Sequence, residues 1–409
     1  MARLACVLHL SLTVALVPPV ARPPSHVVCS GAAYDYCIQS LGCTAKEAAK
    51  AEGKLLPRTA ESLTRAQIDC VCNWLQSELE LSDVELRTFV LRAPSLLSCY
   101  VETNLAPTLE WFRSTLDLGD AELKKFLIRR PPLLGCSIEA NLAPKLEWLQ
   151  TTLDLRDLEL KKLGRNPVVL GLSIEDNMAP KLEWLQRRLD LDVEQLKKIL
   201  LIKPNLLAYS IEENMEPTLT WLQTRLGLDT AQLRKAVLIK PQLLGYSVEK
   251  KMKPNLDWVQ MRLDLEEEQL KKMVAGSPSL LGYNIEDNIE PKLRWLQSRF
   301  DLNNAELTCM LTSLPTLLHL NIEKNLEPKL RFFERELGIA CVDIRARVIR
   351  KPPLLTYSLA KRYQPRLKVC RAAGADPVIV LNSTSKTDAE FCKRLNVPLE
   401  ALRAAQEDV

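Results

Sequence analysis

Glycine is scarce in this chain, at 13 of 409 residues, and no glycine-rich run follows a strand-like segment, which excludes a phosphate-cradling loop. Histidine occurs only at His9, His26 and His319, too far apart to form a metal set or to serve a nucleophile. The 12 cysteines are scattered, eight of them by Cys136, and none are paired as C-x-x-C; Cys70-Val71-Cys72 stands alone. Free thiols are therefore expected, with neither a zinc site nor a disulfide framework. β-Branched runs are short and aromatics make up 5% of the chain, so strands are disfavoured and helix is favoured throughout. No catalytic constellation is present; the expectation is a non-enzyme without cofactor, metal or small-molecule substrate. Charge of one sign is also missing. The formal net charge is +4, so any polyanion-binding surface must come from segregation of charge between faces.

What is present is a repeat. Prolines at Pro94, Pro131, Pro167, Pro204, Pro241, Pro278, Pro315 and Pro352 each open a Pro-x-Leu-Leu-like group at a spacing of 37 residues, with one of 36. A second proline follows each by 13, at Pro107, Pro144, Pro180, Pro217, Pro254, Pro291, Pro328 and Pro365. Four residues later stands Trp111, Trp148, Trp184, Trp221, Trp258, Trp295 or Phe332, and Val369 in the last copy. This in-phase pattern predicts an all-α tandem-repeat solenoid, a right-handed-type curved superhelix of eight to nine helix pairs. The phase already runs in 57–93, a degenerate first repeat with Cys70 where the second proline would be. Eight repeats span 94–372, and 373–409 reads as a polar cap with a last amphipathic piece from Asp388 to Ala405.

The chain before the repeats divides at about residue 28. Residues 1–28 carry Arg3 and Arg22, an apolar run from Leu4 to Val17, and no acid before Asp35. The run is too short to anchor in a bilayer and reads as a cleaved targeting segment; no membrane span is predicted. Residues 29–56 form a polar lead-in with no assigned structure.

Within a unit, Ser137, Ser173, Ser210, Ser247, Ser358, Asn284 and Asn321 are placed as N-caps. The second proline then poses a problem, because a proline in a second helical turn costs about 3 kcal/mol. Either the helix kinks there, or a short turn precedes a helix that starts at the proline. A second helix in the pattern Glu-Leu-Lys-Lys follows and ends at the next marker proline.

That second helix carries the candidate site. Seven residues before each marker, allowing for the single deletion, stand Arg87, Lys124, Lys161, Lys197, Arg234, Lys271, Thr308 and Arg345. The next position adds Lys125, Lys162, Lys198, Lys235 and Lys272. Just before the marker come Arg130, Lys203, Lys240 and Lys351, with Arg92, Arg129, Arg165 and Arg350 one earlier. Stacked at constant phase, these form a basic stripe suited to phosphate tracking. The competing reading is a solvated helix face paired with nearby acids. The tryptophans and the row Asn104, Asn141, Asn177, Asn214, Asn288 and Asn325 are assigned to packing and inter-repeat bonding.

The motifs Leu127-Ile128-Arg129-Arg130-Pro131-Pro132-Leu133-Leu134 and Leu200-Leu201-Ile202-Lys203-Pro204-Asn205-Leu206-Leu207, each followed by Ser-x-Glu and the second proline, resemble the mitochondrial transcription termination factor (mTERF) family over roughly 57–395. Phe391-Cys392-Lys393-Arg394 is similar to the family's C-terminal ending. The resemblance implies helix pairs with an added 3₁₀ turn in a half-doughnut superhelix. It also implies organellar location, in plastid or mitochondrion, and binding of double-stranded DNA, or of RNA in some members, through a basic inner path. Transcription termination, initiation, splicing and ribosome assembly are the implied activities. A helical scaffold for peptides is the rival reading, and a monomer is expected.

Overall fold

Each second proline lacks an N–H, and that decides how the first helix of its repeat begins. A computed structural model describes residues 31–407; the targeting segment proposed for 1–28 lies outside them. Ser137 Oγ accepts from the Ala140 amide at 3.0 Å and opens a single wide turn, Ile138–Leu142. Its backbone bonds span five residues: Leu142 N–H donates to Ser137 O at 3.1 Å, and Ala143 N–H to Ile138 O. The α-helix Ala143–Leu153 follows with Pro144 in its first turn. In a regular α-helix the Pro144 ring would meet the carbonyl of residue 140; the extra residue in the turn relieves that clash. The helix therefore starts at the proline, without a kink. The turn recurs, for example at Ile174–Met178, Ile211–Met215, Ile285–Ile289 and Ile322–Leu326, each opened by its Ser or Asn cap. Where Cys70 replaces the proline, no such turn forms, and one helix runs from Arg65 to Leu79.

The marker prolines open the 3₁₀ turns Pro94–Ser98, Pro131–Gly135, Pro204–Ala208, Pro241–Gly245, Pro278–Gly282, Pro315–His319 and Pro352–Leu355. In the one shortened repeat the turn is α-type, Pro167–Leu170, after a helix of eight residues, Asp157–Gly164, instead of ten.

The Leu-Asp-Leu segments between the two helices have an equally local cause. Asp117, Asp154, Asp190, Asp264 and Asp301 hold left-handed backbone with φ between 48° and 53°, and Gly227 does so at 57°. Aspartate tolerates this conformation better than most side chains, and it ends the first helix. The second helix then opens on a capping box, as in Asp192/Gln195, Asp229/Gln232 and Asn303/Glu306.

Among the described residues every regular element is helical. They fall into two compact units that meet between Ala106 and Pro107. The first contains helices Ala32–Gln39 and Ala45–Glu52, which give the lead-in a structure, and the degenerate repeat. The second is an α-solenoid whose buried leucines form one contiguous core from Leu149 to Ala405, with Trp148, Trp184, Trp221, Trp258 and Trp295 half-buried against it. The expected amphipathic piece after Asp388 is two helices, Asp388–Leu395 and Leu399–Glu407. Asn396, left-handed at φ 56°, and Pro398 separate them.

Because each repeat packs only on its neighbours, damage is expected to stay local. Leu222, 1% exposed, is the central leucine of its helix. Leu222→Ala should cost about 2–5 kcal/mol in denaturant unfolding, with hydrogen-exchange protection lost in 204–276 first and the flanking repeats less affected.

Candidate nucleic-acid interface

The basic residues do not form a single surface. On a helix of 3.6 residues per turn, adjacent side chains point about 100° apart. The row seven before the marker turns back toward the preceding repeat. Lys197, 8% exposed, donates to Asp154 O at 3.2 Å and Glu194 Oε1 at 2.6 Å, with Glu159 Oε2 at 4.0 Å. Arg234 Nη1 lies 2.6 Å from both the carbonyl and the carboxylate of Asp190. Arg345 donates to Phe300 O at 2.6 Å and to Asp301 O and both Glu306 oxygens at 3.1 Å. Lys271 Nζ lies beside Gly227, and Thr308 keeps the same bond with a hydroxyl, donating to Leu263 O at 2.7 Å. In the shortened repeat Lys161 is half-buried, and Arg165 makes the contact instead, to Leu116 O at 2.8 Å and Asp117 O at 2.5 Å. Arg87, in the first unit, pairs with Glu47 at 2.8 Å, and Lys124 is half-buried.

Lys197, Arg234, Arg345 and Arg165 satisfy orphan carbonyls at the C-terminus of the neighbouring repeat's first helix, where a cation is favoured. The expectation that this row lies open as part of one rail is corrected for Lys197, Arg234, Arg345 and Arg87: their partners are backbone carbonyls and carboxylates of the chain itself.

The row just before the marker is also engaged. Arg130 Nη2 donates to Gly171 O at 3.0 Å, and a Cβ on Gly171 would fall 2.1 Å from Arg130 Nε, so a larger residue there would displace the guanidinium. Lys351 donates to Ser385 Oγ at 2.8 Å, Lys203 stands 5.7 Å from the Tyr209 ring centroid, and Lys240 is half-buried. Ser277 and His319 take these two places at the next interface, 2.5 Å apart, so the short side chain leaves room for the ring.

One row remains open. Lys125, Lys162, Lys198, Lys235 and Lys272 are all exposed, one per repeat in five consecutive repeats. None of them takes part in a hydrogen bond or ion pair among the described residues. Arg129 is exposed one turn after Lys125. Cys309 and Ala346 end the row toward the C-terminus.

A set of inward-facing cations, two buried and two half-buried, went unnoticed in the sequence. The residue after the second proline is Lys145, Lys181, Lys292 or Lys329 in four repeats. Each donates to the Asn four residues earlier and to a leucine carbonyl of the next repeat. For Lys329 these are Asn325 Oδ1 and Leu355 O, both at 2.6 Å; for Lys145 they are Asn141 Oδ1 at 2.8 Å and Leu170 O at 2.9 Å. Asn255 makes the equivalent bond to Leu281 O at 3.1 Å, and where Thr218 replaces the lysine, Asn214 turns back to the Ser210 amide. Burial lowers the pKa of all four lysines, that of Lys329 to about 8. The signal was the i, i+4 pairing of Asn with Lys across the proline.

The family comparison supports this organisation. The mTERF profile matches residues 73–391. The chain belongs to the mTERF family. It is therefore a nucleic-acid-binding helical-repeat protein of organellar type. No curated protein matches this mTERF chain. Among its described residues no helix is long and apolar enough to cross a membrane, and no His/Cys/Asp/Glu group could hold a metal ion.

The split between neighbours sets different costs for adjacent substitutions. Arg234→Gln should lower the denaturant midpoint, whereas Lys235→Gln should leave it unchanged; equal effects would contradict the split. For Lys329 the folded pKa, about 8, lies below the ordinary 10.5, so the unfolded chain holds more protons between these values and stability from this group rises with pH there. The stability of wild type relative to Lys329→Met, from urea unfolding, should therefore grow as pH is raised above about 8. A difference independent of pH would contradict it.

Proposed function

We propose that this mTERF protein binds double-stranded DNA in a mitochondrion or plastid and regulates its transcription, with termination as the simplest outcome of a coil seated across the path of the polymerase. The observation that carries the reading is the lysine row Lys125, Lys162, Lys198, Lys235 and Lys272: five exposed ammonium groups at one phase of consecutive repeats, with no carboxylate paired to any of them. With a net charge of only +4, the chain as a whole attracts polyanions weakly, and such a row concentrates the attraction on one path. Lysines there contact phosphates as point charges and release condensed counterions, which needs no base readout. The neighbouring row, from Lys197 to Arg345, supports this indirectly by fixing the spacing between repeats.

The test is the salt dependence of duplex binding by fluorescence anisotropy. Each phosphate neutralised contributes about 0.9 to the slope of log affinity against log salt. Replacing all five lysines with Gln should therefore flatten the slope by about 4.5 and weaken binding at every salt concentration. An unchanged slope would remove the row from the interface. Stronger competition by RNA than by duplex DNA would move the function to RNA maturation.

A further inference from the structure

Phosphate tracking leaves one feature of the lysine face unexplained. One turn after the row lysine, the helix Asp120–Arg129 carries Arg129, but the helices Val193–Ile202 and Thr230–Ile239 carry Ile202 and Ile239, which are 43% and 45% exposed. Between these two helices runs an open groove of about 500 Å³. Ile202, Ala231, Leu238 and Ile239 line it with hydrocarbon, and Lys198, Arg234 and Lys235 supply its polar rim. Arg234 is held by Asp190, so the rim's unpaired charges are the Lys198 and Lys235 ammonium groups. No carboxylate lines the groove.

Single exposed isoleucines are ordinary on a protein surface. Two at the same phase of adjacent repeats, joined through Leu238 and Ala231, make a continuous apolar floor under a positive rim. A phosphate chain answers the rim and leaves the floor in water. A helix with aliphatic side chains three and four residues apart, bordered by carboxylates, answers both.

We propose that this groove binds an acidic amphipathic helix of a partner protein, its aliphatic face between Ile202 and Ile239 and its carboxylates on Lys198 and Lys235. The proposal rests on the reading of the lysine row as the nucleic-acid face in one respect. Both ligands claim Lys198 and Lys235, so the partner helix displaces the nucleic acid locally and regulates binding at that site.

The probe is a labelled synthetic peptide of about 16 residues with Leu on one helical face and Glu on its borders. It is tested on the full chain beside a scrambled peptide of the same composition and a labelled DNA duplex. The ordered peptide should bind saturably, the scrambled one at least about tenfold more weakly, and unlabelled duplex should displace the ordered peptide. Ile202→Ser combined with Ile239→Ser should weaken the peptide by about tenfold or more and leave duplex affinity and helical content unchanged. Lys198→Gln with Lys235→Gln should weaken both ligands. Equal binding of the two peptides, or indifference to the serine pair, overturns the proposal. So does a serine pair that weakens the duplex and spares the peptide, which would assign the isoleucines to nucleic acid. If the ordered peptide binds as described and no duplex binds at all, the groove stands and the DNA reading falls.

Discussion

A charge held out of water joins neighbouring repeats of this solenoid. Lys145 and Lys329, 8% and 2% exposed, each place an ammonium between an asparagine of their own repeat and a leucine carbonyl of the next. Desolvating such a group is costly and is offset only when its hydrogen bonds are made. The staple is therefore satisfied at one relative placement of the two repeats and strained at others. Arg366, 1% exposed, closes the series against Ser383 O at 2.7 Å and Asp388 at 2.6 Å, where the repeats give way to the terminal helices. A second set of bonds joins repeats at the end of the first helix, where Lys197, Arg234 and Arg345 donate to the carbonyls of the left-handed residues Asp154, Asp190 and Asp301. Hydrophobic burial supplies the bulk of the stability, but leucine packing alone is tolerant of sliding; the directional bonds to backbone oxygen are not.

This constraint sorts the basic residues by task. Lys197 and Lys198 are chemically identical neighbours, yet one is buried against Asp154 and Glu194 and the other is exposed without a partner. The inward member keeps successive second helices at a fixed offset, and the outward members are thereby presented at one phase. An outward row without inward bonds would have no defined spacing, and a phosphate chain has one.

The period, the all-helical class and the cap residues were legible in the sequence because each is a local signal: a proline, a serine ahead of an acid, an alternation of leucines. The ambiguity at Pro144 was real in the sequence, since the Ser cap placed the proline in a second turn, where it kinks a helix, while proline itself favours a first turn; a five-residue bond span decided it. The division of the lysines was hidden for a different reason. Whether Lys197 points at water or at Asp154 depends on a partner 43 residues away, and spacing along the chain does not show which way a repeat turns over its neighbour. The buried Lys329 was missed because lysine after proline reads as a solvated first turn. Its pairing with Asn325 four residues earlier was the available clue. The mixed Lys–Ile groove was equally out of reach, because two helices 37 residues apart in phase build it together.

The split between adjacent lysines is tested most directly by quantitative amine labelling of the full chain, read residue by residue, with and without duplex DNA. The account predicts fast labelling of Lys125, Lys162, Lys198, Lys235 and Lys272 in the free protein, protection of all five in the complex, and slow labelling of Lys145, Lys197 and Lys329 in both. Lys197 labelling as fast as Lys198, or a row left fully reactive when DNA is bound, would contradict it.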